Sequence, residues 1–164
     1  MTLTSHGAYA GTSTIMAKTI FNARDREALC ERISRLRPDS ARRWGKMTAP
    51  QMICHLNDSL EIATGRVPAQ RVRTPLANPL LRWLIIYVVP WPKGRARTVP
   101  EMLATTPGNW DADVARLIAQ LQAAGARGPR GEWAPHPGFG ALSGKDYGVL
   151  IRRHFSYHLT QFGV

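Results

Sequence analysis

Residues 143–164, SGKDYGVLIRRHFSYHLTQFGV, decide the fold. Tyr147, Leu150, Ile151, His154, His158 and Gln161 follow steps of three and four, the spacing of one stripe along an α-helix. Ser143 is expected to cap that helix, with Asp146 at the third position answering the partial positive charge of its first turn. Arg152, Arg153 and Ser156 fall on the opposite side and suit solvent. Four residues of helix amount to about 40° of rotation and one turn of rise, so His154 and His158 stack on one face and extend an apolar stripe into the interior.

A second inward histidine position lies upstream. In residues 44–60, WGKMTAPQMICHLNDSL, Thr48-Ala-Pro-Gln51 has the form of a capping box with proline in the first turn, and the helix it opens is expected to run to about Thr64 and stop at Gly65. His55 adjoins the stripe Met52, Leu56, Ser59 and Ala63. Asn22 can cap an earlier helix over 23–37, with Leu29, Ile33 and Leu36 as its stripe and Pro38 as its stop. Asn109 can cap another, with Val114, Leu117, Ile118 and Leu121 inside and Gly125 as its stop. Between Asn78-Pro79 and Pro90, the run LLRWLIIYVV is shorter than the roughly 20 residues a membrane span needs and reads as a short buried or interface helix, although its β-branched end could be extended. Four amphipathic helices with long connections and an extra short helix give an all-α bundle over 21–164, preceded by a flexible extension over 1–20.

The formal net charge of +11 comes from 22 Lys and Arg against 11 Asp and Glu. Such a surplus can attract polyanions. The arginines are nevertheless scattered and no nucleic-acid motif accompanies them, so nucleic acid is a disfavoured partner. Cys30 and Cys54 are isolated and read as reduced core thiols, which agrees with a cytoplasmic setting. The first twenty residues lack the basic start and continuous apolar core of a signal peptide.

Three imidazoles aimed into one interior need shared partners, because a buried unpaired polar group costs about 1–3 kcal/mol. Three histidine ligands also leave coordination positions for water or substrate, as a catalytic metal site requires. The plainer alternative is that each histidine is a hydrogen-bonded core residue.

The segments WGKMTAPQMICHLNDSL, PWPKG at 90–94, HPGFGALS at 136–143 and the terminal HFSYHLTQFGV, in this order, resemble a branch of the DinB-like superfamily of metal-dependent four-helix bundles, over about residues 20–164. The resemblance implies a divalent metal (zinc, nickel or iron) on His55, His154 and His158. Some relatives act as thiol S-transferases or thiol-dependent isomerases, which implies a low-molecular-weight thiol as a second cofactor and a small molecule as substrate. A homodimer is compatible with this reading. The competing function is a non-catalytic metal- or small-ligand-binding module. Ser59, Tyr147 and Ile151 are inferred pocket residues, Asp58 a neighbour that could support the ligands, and His136 either a turn residue or part of the pocket lining. No protein-supplied base or nucleophile stands out.

Overall fold

The computed structural model describes residues 17–94 and 99–164. Most of the expected extension, residues 1–16, lies outside the described residues. Of the remainder, Ile20 is fully buried and its N–H donates to the Gly148 carbonyl at 3.1 Å.

The described residues form an all-α bundle. Its four long helices are α1 (Ala23–Ser34), α2 (Ala49–Ala63), α4 (Trp110–Arg127) and α5 (Gly144–Gln161), with a five-residue helix α3 (Pro79–Trp83) in the long connection. Both α1 and α2 pack against α4 and α5. The expected caps form: Asn22 accepts from Asp25 N–H, Asn109 from Ala112 N–H, and Thr48–Gln51 and Ser143–Asp146 make reciprocal capping boxes. Each such cap is worth about 1 kcal/mol.

The shared core joins Leu29 and Ile33 of α1, Met52, Leu56 and Leu60 of α2, Leu117 and Leu121 of α4, and Tyr147, Phe155 and Leu159 of α5. Burying each large apolar side chain stabilises by about 1.5–3 kcal/mol. Every residue from Met52 to Leu60 is buried, so α2 is covered on all sides and its polar residues must find partners inside the protein.

Three expectations are corrected. First, α4 does not stop at Gly125. That glycine is buried within the helix where the Arg26 side chain crosses it, a Cβ there would come within 2.6 Å of Arg26 Cδ, and the helix ends at Gly128 with φ of 71°. Second, α1 ends at Ser34 and not at 37, although Leu36 remains buried beyond it. Third, of the two readings of the run after Asn78, a buried or an interface helix, burial is excluded: α3 gives way to a π-helical turn over Leu84–Val88, in that turn only Ile86 is buried, and Leu80, Leu81, Trp83, Val88 and Val89 are exposed.

That π turn explains Arg153, which is not given over to solvent. A π turn displaces carbonyls from the ordinary helical ladder. The Arg153 guanidinium donates to the carbonyls of Ile85 at 3.0 Å, Ile86 at 2.7 Å and Val89 at 2.6 Å, fastening the connection to α5. Among the described residues no helix is long and apolar enough to cross a membrane.

Candidate metal centre

α2 and α5 face one another at His55, His154 and His158. The ring centroids stand 5.0, 4.8 and 4.8 Å apart, each pair edge to face. One ligand nitrogen from each ring lies within 4.8 Å of the other two. His55 and His158 are buried and His154 is half-buried.

The hydrogen bonds fix where the ring protons sit. His55 Nδ1 lies 2.9 Å from the Met102 carbonyl, which only accepts, so Nδ1 carries the hydrogen and Nε2 presents a lone pair to the cluster. His158 Nδ1 lies 3.0 Å from Gln161 Oε1. The Gln161 amide nitrogen donates to the Trp44 carbonyl at 2.7 Å, which identifies Oε1 as the acceptor and gives His158 the same tautomer. The third contact, His55 Nε2 to His154 Nε2 at 3.0 Å, requires one hydrogen between them. His55 has already committed its own to Nδ1, so His154 holds a hydrogen on the nitrogen that faces the cluster.

These neighbours have structural reasons for their places. Met102 belongs to a 3-10 turn, Pro100–Leu103, that packs on α2. Asp58, one turn beyond His55, holds the chain leaving that turn by accepting from Thr105 N–H at 3.0 Å and Thr105 Oγ1 at 2.5 Å. Gly45 allows the Trp44 carbonyl to meet Gln161, since its φ is 81° and a Cβ there would come within 2.3 Å of Gln161 Nε2.

Burial keeps all three imidazoles neutral. It pulls His55 below the usual histidine range against the opposing effects of the Met102 carbonyl and Asp58. His154 is held well below that range by burial and then by the nearby His158, His55 and His136. His158 is brought down to about 3 by burial and His55, with its bond to Gln161 opposing. Neutral imidazole is the form that binds a metal.

The donor set fits a divalent first-row ion. With metal–nitrogen bonds of about 2.0–2.1 Å, two ligands on one ion can stand at most about 4.2 Å apart. The His55–His154 separation of 3.0 Å already satisfies this, and the widest spread of 4.8 Å needs only small side-chain adjustments. The three histidines could therefore hold a metal ion.

The other anticipated residues are held as follows. Ser59 donates to the Leu56 carbonyl within its own helix at 2.8 Å. Tyr147 donates to the Ala134 carbonyl at 2.7 Å and stacks on Trp133, while Ile151 is part of the core. His136 is a turn residue whose Nδ1 accepts from the N–H groups of Gly138 and Phe139 at 3.0 and 3.2 Å, and burial pulls its pKa down to about 4. It also lines a cavity of about 320 Å3 with Ile62, Arg71 and Ala134. Cys54 is a buried thiol pushed up to about 11 by burial and the nearby Asp113 and Asp58, so it is not a nucleophile.

Gln161 lies three positions beyond His158 and shares its helix face, the local spacing that makes it the partner of that ring. The model of a family described as "Protein of unknown function (DUF1569)" matches residues 16–163. No curated protein and no solved structure matches the chain.

Proposed function

This chain belongs to the DUF1569 family, within the DinB-like superfamily, and from that premise and the histidine geometry we infer that it is a metal-dependent enzyme acting on a small molecule, with His55, His154 and His158 as the ligands. The observation that carries this reading is that His55 and His158 each commit Nδ1 to a fixed acceptor, while His55 Nε2 meets His154 Nε2 at 3.0 Å and one ligand nitrogen from each of the three rings lies within 4.8 Å of the other two. Core histidines satisfied for their own sake have no need of such agreement. A divalent ion held there favours thiolate over thiol, or hydroxide over water, at neutral pH.

The protein's own part is to hold the rings and exclude bulk water. Met102 and Gln161 orient two of the imidazoles, and the His154 tautomer with its hydrogen on Nδ1 would present the third lone pair to the ion. Transfer of a low-molecular-weight thiol to an electrophile is the reaction we assign, because three protein ligands leave a position for sulfur. The shared apolar core is formed without the histidine centre, which favours catalysis over a purely structural metal.

Elemental analysis of untagged protein should find about one first-row metal per chain, lost in His154→Ala. In the cobalt-substituted protein, the correct thiol from a panel of glutathione, bacillithiol and mycothiol should produce a new sulfur-to-metal absorption band. An unchanged spectrum with all three sinks the S-transferase assignment and leaves a hydrolytic enzyme or a non-catalytic module.

A further inference from the structure

We propose a second, anion-binding site: a cavity of about 290 Å3 on the outer side of α5, lined by Trp44, Trp91, Lys93, Arg152, Ser156 and Tyr157, that takes a small organic anion through its phosphate or carboxylate group. Among the described residues, four buried side-chain N or O atoms have no hydrogen-bond partner. Two of these are unambiguous donors, Trp44 Nε1 and Arg152 Nε, and both belong to residues lining this cavity. Buried donors left unpaired are rare and call for an acceptor.

The charge balance points the same way. Arg152 and Arg32 both donate to the one hydroxyl of Ser156, Arg32 at 2.8 Å, so two guanidinium ions converge on a neutral acceptor. Lys93 adds an ammonium 4.8 Å from the Trp44 ring centroid. Residues 40–57, 62–100 and 147–164, which supply the cavity walls, contain no Asp or Glu. The one ion pair among the described residues, Arg116–Glu61, draws on neither these arginines nor Lys93. Cations gathered at a cavity whose wall segments carry no Asp or Glu side chain repel one another, and an anion among them relieves that repulsion.

The walls also set the rest of the ligand. Trp44, Trp91 and Tyr157 offer aromatic surface, with Trp91 and Tyr157 centroids 5.9 Å apart, so an anion with a flat apolar body fits better than a bare ion. Pro92 and Gly94 anchor the loop over the cavity, the first accepting from Tyr157 Oη at 3.1 Å and the second donating to it at 3.0 Å. Trp91 also lies 6.1 Å from the His154 ring, so the cavity adjoins the histidine centre without sharing its ligands. The inference does not depend on metal binding.

The test uses the full chain, stripped of metal, titrated separately with inorganic phosphate, phenyl phosphate and benzoate while its indole N–H resonances are followed. The Trp44 resonance, assigned by its loss in Trp44→Phe, should shift saturably with phenyl phosphate or benzoate, and more weakly with inorganic phosphate. Phenyl phosphate against benzoate tells a phosphate site from a carboxylate site. Arg152→Gln should weaken binding about tenfold or more, the worth of a lost charge-assisted hydrogen bond. Should that variant fail to fold, the exposed Lys93→Gln serves in its place. A Trp44 resonance unmoved by all three probes, or a folded Arg152→Gln protein that binds as the wild type does, overturns the proposal.

Discussion

Gln161 Oε1 stands 3.0 Å from His158 Nδ1 while the same amide donates to the Trp44 carbonyl at 2.7 Å, so the loop before α2 sets the angle of an imidazole at the end of α5. Gln161→Leu keeps the bulk but removes both bonds. Loss of an outer partner of a ligating histidine costs about 10–100-fold in metal affinity. We expect that loss in competition against a metallochromic chelator, with helical content retained. An affinity within about twofold of wild type would show that Gln161 only fills space.

How much of this arrangement could be read beforehand depends on how local its causes are. The Ser143 and Thr48 caps, and the shared face of His154 and His158, follow from spacings of three or four residues and stand as expected. The Met102 and Trp44 carbonyls, 47 and 117 residues from the side chains they bind, have no such signature, because any residue supplies a backbone acceptor. Gly125 misleads because glycine reads as a helix stop, whereas here its missing side chain admits Arg26. Arg153 misleads because nothing in an apolar run announces a π turn that will need a cation for its carbonyls.

His154→Ala should abolish stoichiometric metal while leaving a folded helical protein. Stability rests on the apolar core shared by four helices, of which Leu29, Leu56, Leu117 and Phe155 are fully buried. Metal content beside far-ultraviolet circular dichroism decides the matter. Global unfolding of the variant would mean that the ion holds the bundle together, and would favour a structural metal over a catalytic one.

Asp58→Ala leaves Thr105 N–H and Oγ1 without their acceptor and loosens the turn that presents the Met102 carbonyl to His55. Hydrogen bonds to a charged group contribute about 1.5–3 kcal/mol. The unfolding free energy should fall by that amount, seen as a lower urea midpoint with little change in slope, and amide exchange at Thr105 should accelerate. An unmoved midpoint would show that the 3-10 turn is held in place without the aspartate.

Acid should destabilise the metal-free protein well before its carboxylates titrate. His136 and His158 have pKa values of about 4 and about 3 in the folded chain, and His55 and His154 are lowered as well, each chiefly by burial. In the unfolded chain all four return to about 6.5. Below that value the unfolded state binds more protons than the folded one, so stability rises with pH across the window and falls as acid is added. The contribution is complete above about pH 7 and is lost progressively toward pH 4 and below. Urea midpoints measured on metal-free protein from about pH 7 to about pH 4 should therefore decline steadily, and bound metal should blunt the decline by competing with protons for the same nitrogens. A midpoint independent of pH down to about 5 would mean that the histidines protonate in the folded state at ordinary values, which their burial and mutual contacts argue against.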